Sequence, residues 1–110
     1  MSSILNDIKH MLGRPEGDTT FDMDIMININ SAFGTLTQLG VGPVVGFQIT
    51  GPNNDWNEFT TDPRLNAVKN YIFLKTKIAF DPPDTGFVLT AMQDQIREHE
   101  YRLNVVADYG

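Results

Sequence analysis

Two consecutive prolines behind an aspartate, Asp81-Pro82-Pro83, constrain this chain more than any other feature. Proline lacks the backbone donor a helix interior needs, and its ring clashes with the preceding turn. It also drives the residue before it out of the helical region. Apolar residues recur at helical spacing on both sides, over residues 62–80 and 85–104. The prolines therefore end one helix and turn the chain before the next. The earlier helix has Asp62 as a cap and Pro63 at its first position. Leu65, Val68, Ile72 and Ala79 form one apolar stripe on it, and Ala67, Tyr71, Leu74 and Ile78 form a second beside it. So wide an apolar surface suits a central helix that touches several others. The later helix carries Val88, Leu89, Met92, Ile96 and Leu103 on one face, with Glu98 and Arg102 paired at i,i+4 outside.

Two more helices are expected upstream. Ser3 can cap a helix over residues 3–12, whose apolar face is Ile4, Leu5, Ile8, Met11 and Leu12, and Gly13 suits its left-handed stop. Residues 21–39 admit two readings. Met23, Ile25, Ile27 and Ile29 alternate like a strand, whereas Phe21, Ile25, Ile29, Phe33, Leu36 and Leu39 recur every three or four positions. Length decides for the helix, since strands rarely exceed about ten residues. Gly34 inside it is expected to mark a close helix contact. Between residues 41 and 61, Val45, Phe47 and Ile49 alternate with Gly46, Gln48 and Thr50 as in a short strand. Gly51-Pro52-Asn53-Asn54 then reads as a turn, and Trp56 and Phe59 share a helical turn. After Asn104, the segment Val105-Val106-Ala107-Asp108-Tyr109-Gly110 reads as an extended tail with apolar surface left to bury. The expectation is one all-α domain over residues 1–110: four helices, a long mid-chain loop carrying a short strand, and an extended C-terminal tail.

Length and composition fit that picture. A chain of 110 residues is close to the commonest domain size, and 41% hydrophobic with 20% charged residues is ordinary for a globular protein. The absence of cysteine excludes disulfides and thiolate metal sites. The N-terminus has neither a basic region nor a long apolar run, so no signal peptide is expected. The run Tyr71-Ile72-Phe73-Leu74 is far too short to span a membrane. All of the net charge of −6 arises in residues 1–62, where two basic residues face eight acidic ones; residues 63–110 balance. Arg64, Lys69, Lys75 and Lys77 are spread around their helix rather than along one side, which argues against a nucleic-acid-reading face.

The chain shows no equipment for catalysis. His10 and His99 stand at the ends of separate helices without ligand or triad spacing. Asp22 and Asp24 point apart on a helix and read as helix-start acids. Asn53-Asn54-Asp55-Trp56-Asn57-Glu58 is rich in oxygens but lacks the calcium-loop spacing and its glycine, so it reads as a polar turn. Phosphate loops, nucleophile elbows and zinc patterns are missing. No enzyme activity, cofactor or metal is expected. Trp56 and Phe59 suit either the core or a partner, and the 45–50 strand could pair within the chain or add to a neighbouring copy.

Taken in order, several segments resemble the small head–tail connector (adaptor) proteins of long-tailed bacteriophages. They are Ile4-Leu5-Asn6-Asp7-Ile8-Lys9 with Met11-Leu12-Gly13; Phe21-Asp22; Ile29-Asn30; and Leu36-Thr37-Gln38-Leu39-Gly40-Val41-Gly42-Pro43. Further on come Phe47-x-Ile49-x-Gly51, Trp56-x-x-Phe59, Phe80-Asp81-Pro82-Pro83 and Arg102-Leu103-Asn104-Val105. The resemblance implies a structural virion protein of the neck, assembled in the host bacterial cytoplasm as a dodecameric ring beneath the portal. Such a ring extends the DNA channel, passes DNA without sequence-specific binding, and receives head-closure (stopper) or tail-side proteins. By the same analogy, Leu103, Asn104, Val105, Val106, Ala107, Asp108, Tyr109 and Gly110 would contact the portal. Val45, Phe47, Ile49, Trp56 and Phe59 would face a neighbour or the next ring. Another neck or tail-completion protein, or a small helical DNA-binding regulator, are the rival readings, the regulator being disfavoured by the charge balance and the Pro-Pro turn.

Overall fold

The computed structural model describes residues 3–63 and 67–109, with side chains through Ala107. Among the described residues there are five helices and no sheet: α1 (Ile4–Met11), α2 (Asp22–Gln38), α3 (Trp56–Phe59), α4 (Val68–Phe80) and α5 (Gly86–Tyr109). Ser3 caps α1, its hydroxyl accepting from the Asn6 amide. Gly13 follows that helix with φ +80°. The α2 segment is helical over nearly its whole expected length, burying Ile25, Ile29, Ala32, Phe33 and Leu36 at helical spacing and leaving Met23 and Ile27 in water. α4 is the central helix: it packs on α1, α2 and α5 and buries Val68, Tyr71, Ile72 and Leu74. Burying each large apolar side chain of this core contributes about 1.5–3 kcal/mol. Cross-links fix the directions. Lys9 near the end of α1 pairs with Asp22 at the start of α2, and Phe21 stacks on Phe80 at the end of α4. Asn104 of α5 reaches the carbonyl of Leu39 just beyond α2. Thus α1 and α4 run one way, and α2 and α5 the other.

Several expectations are corrected. Residues 45–50 form no strand. The Asn30 amide takes the place of a neighbouring strand, accepting from the Ile49 N–H at 2.8 Å and donating to the Ile49 carbonyl at 3.0 Å. The Thr50 N–H goes to the Asn54 side chain at 2.8 Å. With its backbone groups satisfied locally, the segment needs no partner strand. Among the described residues, the single bridge joins Ser3 and Asp55. The C-terminal tail is not extended: α5 continues through Tyr109, because Val106 and Ala107 still find the core one turn beyond Leu103. His99 consequently lies inside a helix rather than at its end. The described residues hold five helices instead of four, since Trp56 and Phe59 sit on a single-turn helix closed by an Asp55–Glu58 capping box. The helix expected from Asp62 becomes α4 only at Val68; residues 64–66, and with them the expected Leu65 position, lie outside the described residues. Gly34 makes no close contact, for a Cβ there would meet nothing within 4 Å.

One buried charge was not anticipated. Lys9 is 1% exposed, and its ammonium lies 2.8 Å from an Asp22 carboxylate oxygen while donating to the Glu16 carbonyl at 3.0 Å. It fastens the 13–20 loop and the start of α2 to α1. Tyr71, also fully buried, donates its hydroxyl to Glu100 at 2.7 Å. Burial, then the neighbouring carboxylate, push that phenol far above its ordinary range.

Candidate functional site

Two surfaces at opposite ends of the helices carry exposed apolar side chains. The first begins where α2 ends. Gly40 turns the chain with φ +81°, and the Val41 N–H returns to the Leu36 carbonyl at 2.9 Å while its side chain is buried. Gly42 has φ +88° and faces the Phe59 ring so closely that a Cβ would collide with it. Only glycine satisfies both conditions. The Gly46 N–H then donates to the Pro43 carbonyl at 3.0 Å, closing a turn around Val44 and Val45. These two valines are 97% and 96% exposed. Their β-branched side chains are stiff, and the turn that carries them is anchored on both flanks by the buried Val41 and Ile49. An apolar pair held in water on a fixed backbone is the kind of surface a protein partner covers.

The end of α5 meets this turn. Asn104 donates to the Leu39 carbonyl at 3.0 Å, and a Cβ at Gly40 would lie 3.9 Å from that of Ala107. The C-terminal segment and the mid-chain loop therefore share one end of the molecule.

The residues singled out in the sequence fare differently within it. Leu103 is buried, Asn104 holds Leu39, and Val106 and Ala107 pack on the core, with Val105 half-buried beside them. The side chains of Asp108 and Tyr109, and all of Gly110, lie outside the described residues. In the mid-chain set only Val45 faces water. Phe47 stacks edge-on against Phe33 (4.9 Å) and Phe59 (5.4 Å), and both Ile49 and Phe59 are buried. Trp56 donates its indole N–H to Asp7 at 2.8 Å, with the Lys69 ammonium 5.4 Å above its ring. These four side chains are turned into their own subunit. Val44, beside Val45, is equally exposed, and Pro43-Val44-Val45-Gly46 carries a signal for it: two β-branched apolar residues occupy the centre of a turn where polar residues normally sit.

At the opposite end, Phe21 and Phe80 stack edge-to-face at 5.6 Å, and the Arg14 guanidinium lies over both rings at 4.7 and 5.2 Å. Ile27 borders this shelf. A groove of about 500 Å³ continues from it along α4, between α2 and α5, with Ala32, Ile78 and Ile96 as apolar lining and Lys75, Arg97 and Glu100 on its polar side. Phe87, in the first turn of α5, is 86% exposed. Asp81, at the α4 stop, receives Lys77 at 2.8 Å, and that contact holds its carboxyl below the usual range.

A family model described as Phage connector protein matches residues 4–110. Comparison with curated proteins and with solved structures gives no match.

Proposed function

The chain belongs to the phage connector protein family, and from that membership we propose that it is a head–tail adaptor subunit of the virion neck. Copies form a ring beneath the portal, extend the DNA channel, and present a surface to head-closure or tail-side proteins. It acts by binding alone, without catalysis or a cofactor. The observation that carries this reading is the fixed turn exposing Val44 and Val45 beside the end of α5, a preorganised docking knob whose ordering entropy is already spent in the folded subunit. The portal is the partner proposed for that end. The net charge of −6 suits a conduit, because DNA slides past a surface that does not neutralise its phosphates.

The test is complementation with the Val44→Asp/Val45→Asp chain in cells infected by phage lacking the wild-type copy. Both side chains already lie in water, so the variant is expected to keep its circular dichroism spectrum and urea midpoint. It is expected to leave heads and tails unjoined. Normal yields of tailed particles from a folded variant would remove the turn from the docking surface.

A further inference from the structure

Among the described residues, the groove between α2 and α5 has no occupant and the exposed start of α5 has no cover. Phe87 and Ile96 are nine residues apart, about two and a half helical turns, so they project from opposite sides of α5. Ile96 looks toward the groove, and Phe87 looks away from it. No rotation of its own side chain brings Phe87 into its own groove. We propose that Phe87 of each copy inserts into the α2–α4–α5 groove of the next copy, making this the subunit–subunit contact of the assembly.

Charge supports a second copy as the occupant. Lys75 lines the groove, and Asp84 lies three residues before Phe87; neither has an ion pair among the described residues. Glu100 also lines the groove but is held by the Tyr71 hydroxyl, so insertion of Phe87 would bring Asp84 to the groove as a partner for Lys75. Rim charges of this kind set register and orientation more than affinity. Because Phe87 and the groove are separate patches, a copy that donates Phe87 to one neighbour can accept Phe87 from another, which makes the contact heterologous. Such a contact propagates head to tail and closes into a ring when the rotation per subunit permits. A standard contact covers about 800 Å² on each partner. A surface of 6500 Å² accommodates two such faces and leaves the valine turn free for a different partner.

This inference deepens the ring reading above and rests on it, but its test needs no phage. The chain has no cysteine, so single cysteines can be placed freely. Ala91 lies one turn from Phe87 on the same side of α5, Ser31 borders the groove on α2, and both are exposed. Purified full-length Ala91→Cys and Ser31→Cys chains, mixed at high concentration under mild oxidation, are expected to give a mixed disulfide dimer in at least tenfold excess over either homodimer. Lys75→Glu in the Ser31→Cys chain should abolish it, and Asp84→Lys in the Ala91→Cys chain should restore it. A statistical mixture of dimers, no dimer at all, or a cross-link indifferent to both charge changes overturns the proposal. Binding of the wild-type chain to portal is scored separately. A chain that forms the cross-link but ignores the portal keeps the contact and loses the neck assignment.

Discussion

Replacing Asn30 with alanine tests how the mid-chain loop is held. Its side chain makes both main-chain hydrogen bonds of Ile49, at 2.8 and 3.0 Å, and Ile49 is 3% exposed. Truncation leaves a donor and an acceptor with no partner in a dry place. Each such group costs about 1–3 kcal/mol, and water entering the space left by the amide offsets part of that. The expected loss is about 2–4 kcal/mol, a large share of the roughly 5–15 kcal/mol that holds a domain of this kind. In urea, with a slope of about 1–3 kcal/mol per molar, the midpoint should fall by about 1–2 M at unchanged slope. The Ile49 amide should lose its hydrogen-exchange protection before the helices lose theirs. Asn30→Asp is the control: it keeps the acceptor for the Ile49 N–H but aims a carboxylate at the Ile49 carbonyl, so it should be at least as damaging as alanine. A change below about 0.5 kcal/mol in Asn30→Ala would refute the argument, since surface substitutions away from specific contacts fall in that range.

Two glycines should respond in opposite directions to alanine. Gly42→Ala should cost about 2–4 kcal/mol through its positive φ and the collision with Phe59, while Gly34→Ala, on an open helix face, should gain about 1 kcal/mol; thermal unfolding reads both. Lys9→Ala should cost about 3 kcal/mol or more, because it removes a buried stem and strands Asp22 and the Glu16 carbonyl; Lys9→Met strands the same groups but keeps the stem, so it should cost about 1 kcal/mol less in the same urea titration. Ending the chain at Asn104 should lower stability by about 1–2 kcal/mol, since Val106 and Ala107 pack on the core; a truncated chain with an unchanged midpoint would contradict the helical C-terminus.

Periodicity made the helices legible, and local chemistry made the loops opaque. The wide apolar surface around Tyr71 and Ile72 announced α4 as the central helix, and the stop at Pro82-Pro83 stands where the sequence puts it. The alternation at residues 45–50 misled because alternation reports only which side chains turn inward. Phe47 and Ile49 do turn inward, but their backbone partner is the side chain of Asn30, nineteen residues away from Ile49, and no local pattern reveals it. Asn104 looked like a helix terminator, yet its amide serves the Leu39 carbonyl while α5 runs on. The buried Lys9 was invisible for a similar reason, since its partners are a backbone carbonyl and a carboxylate beyond a loop. Of the residues singled out for binding, Phe47, Ile49, Trp56 and Phe59 are taken up by contacts within the subunit, and the exposed neighbour of Val45, Val44, carries no periodic signal.

The most direct measurement is negative-stain imaging of the purified chain, alone and mixed with the portal of the same phage. The neck-adaptor reading predicts small dispersed particles for the chain alone and an added ring of density on one face of each portal in the mixture, lost with Val44→Asp/Val45→Asp. Portals left bare by the wild-type chain, or decorated equally by the variant, would contradict it.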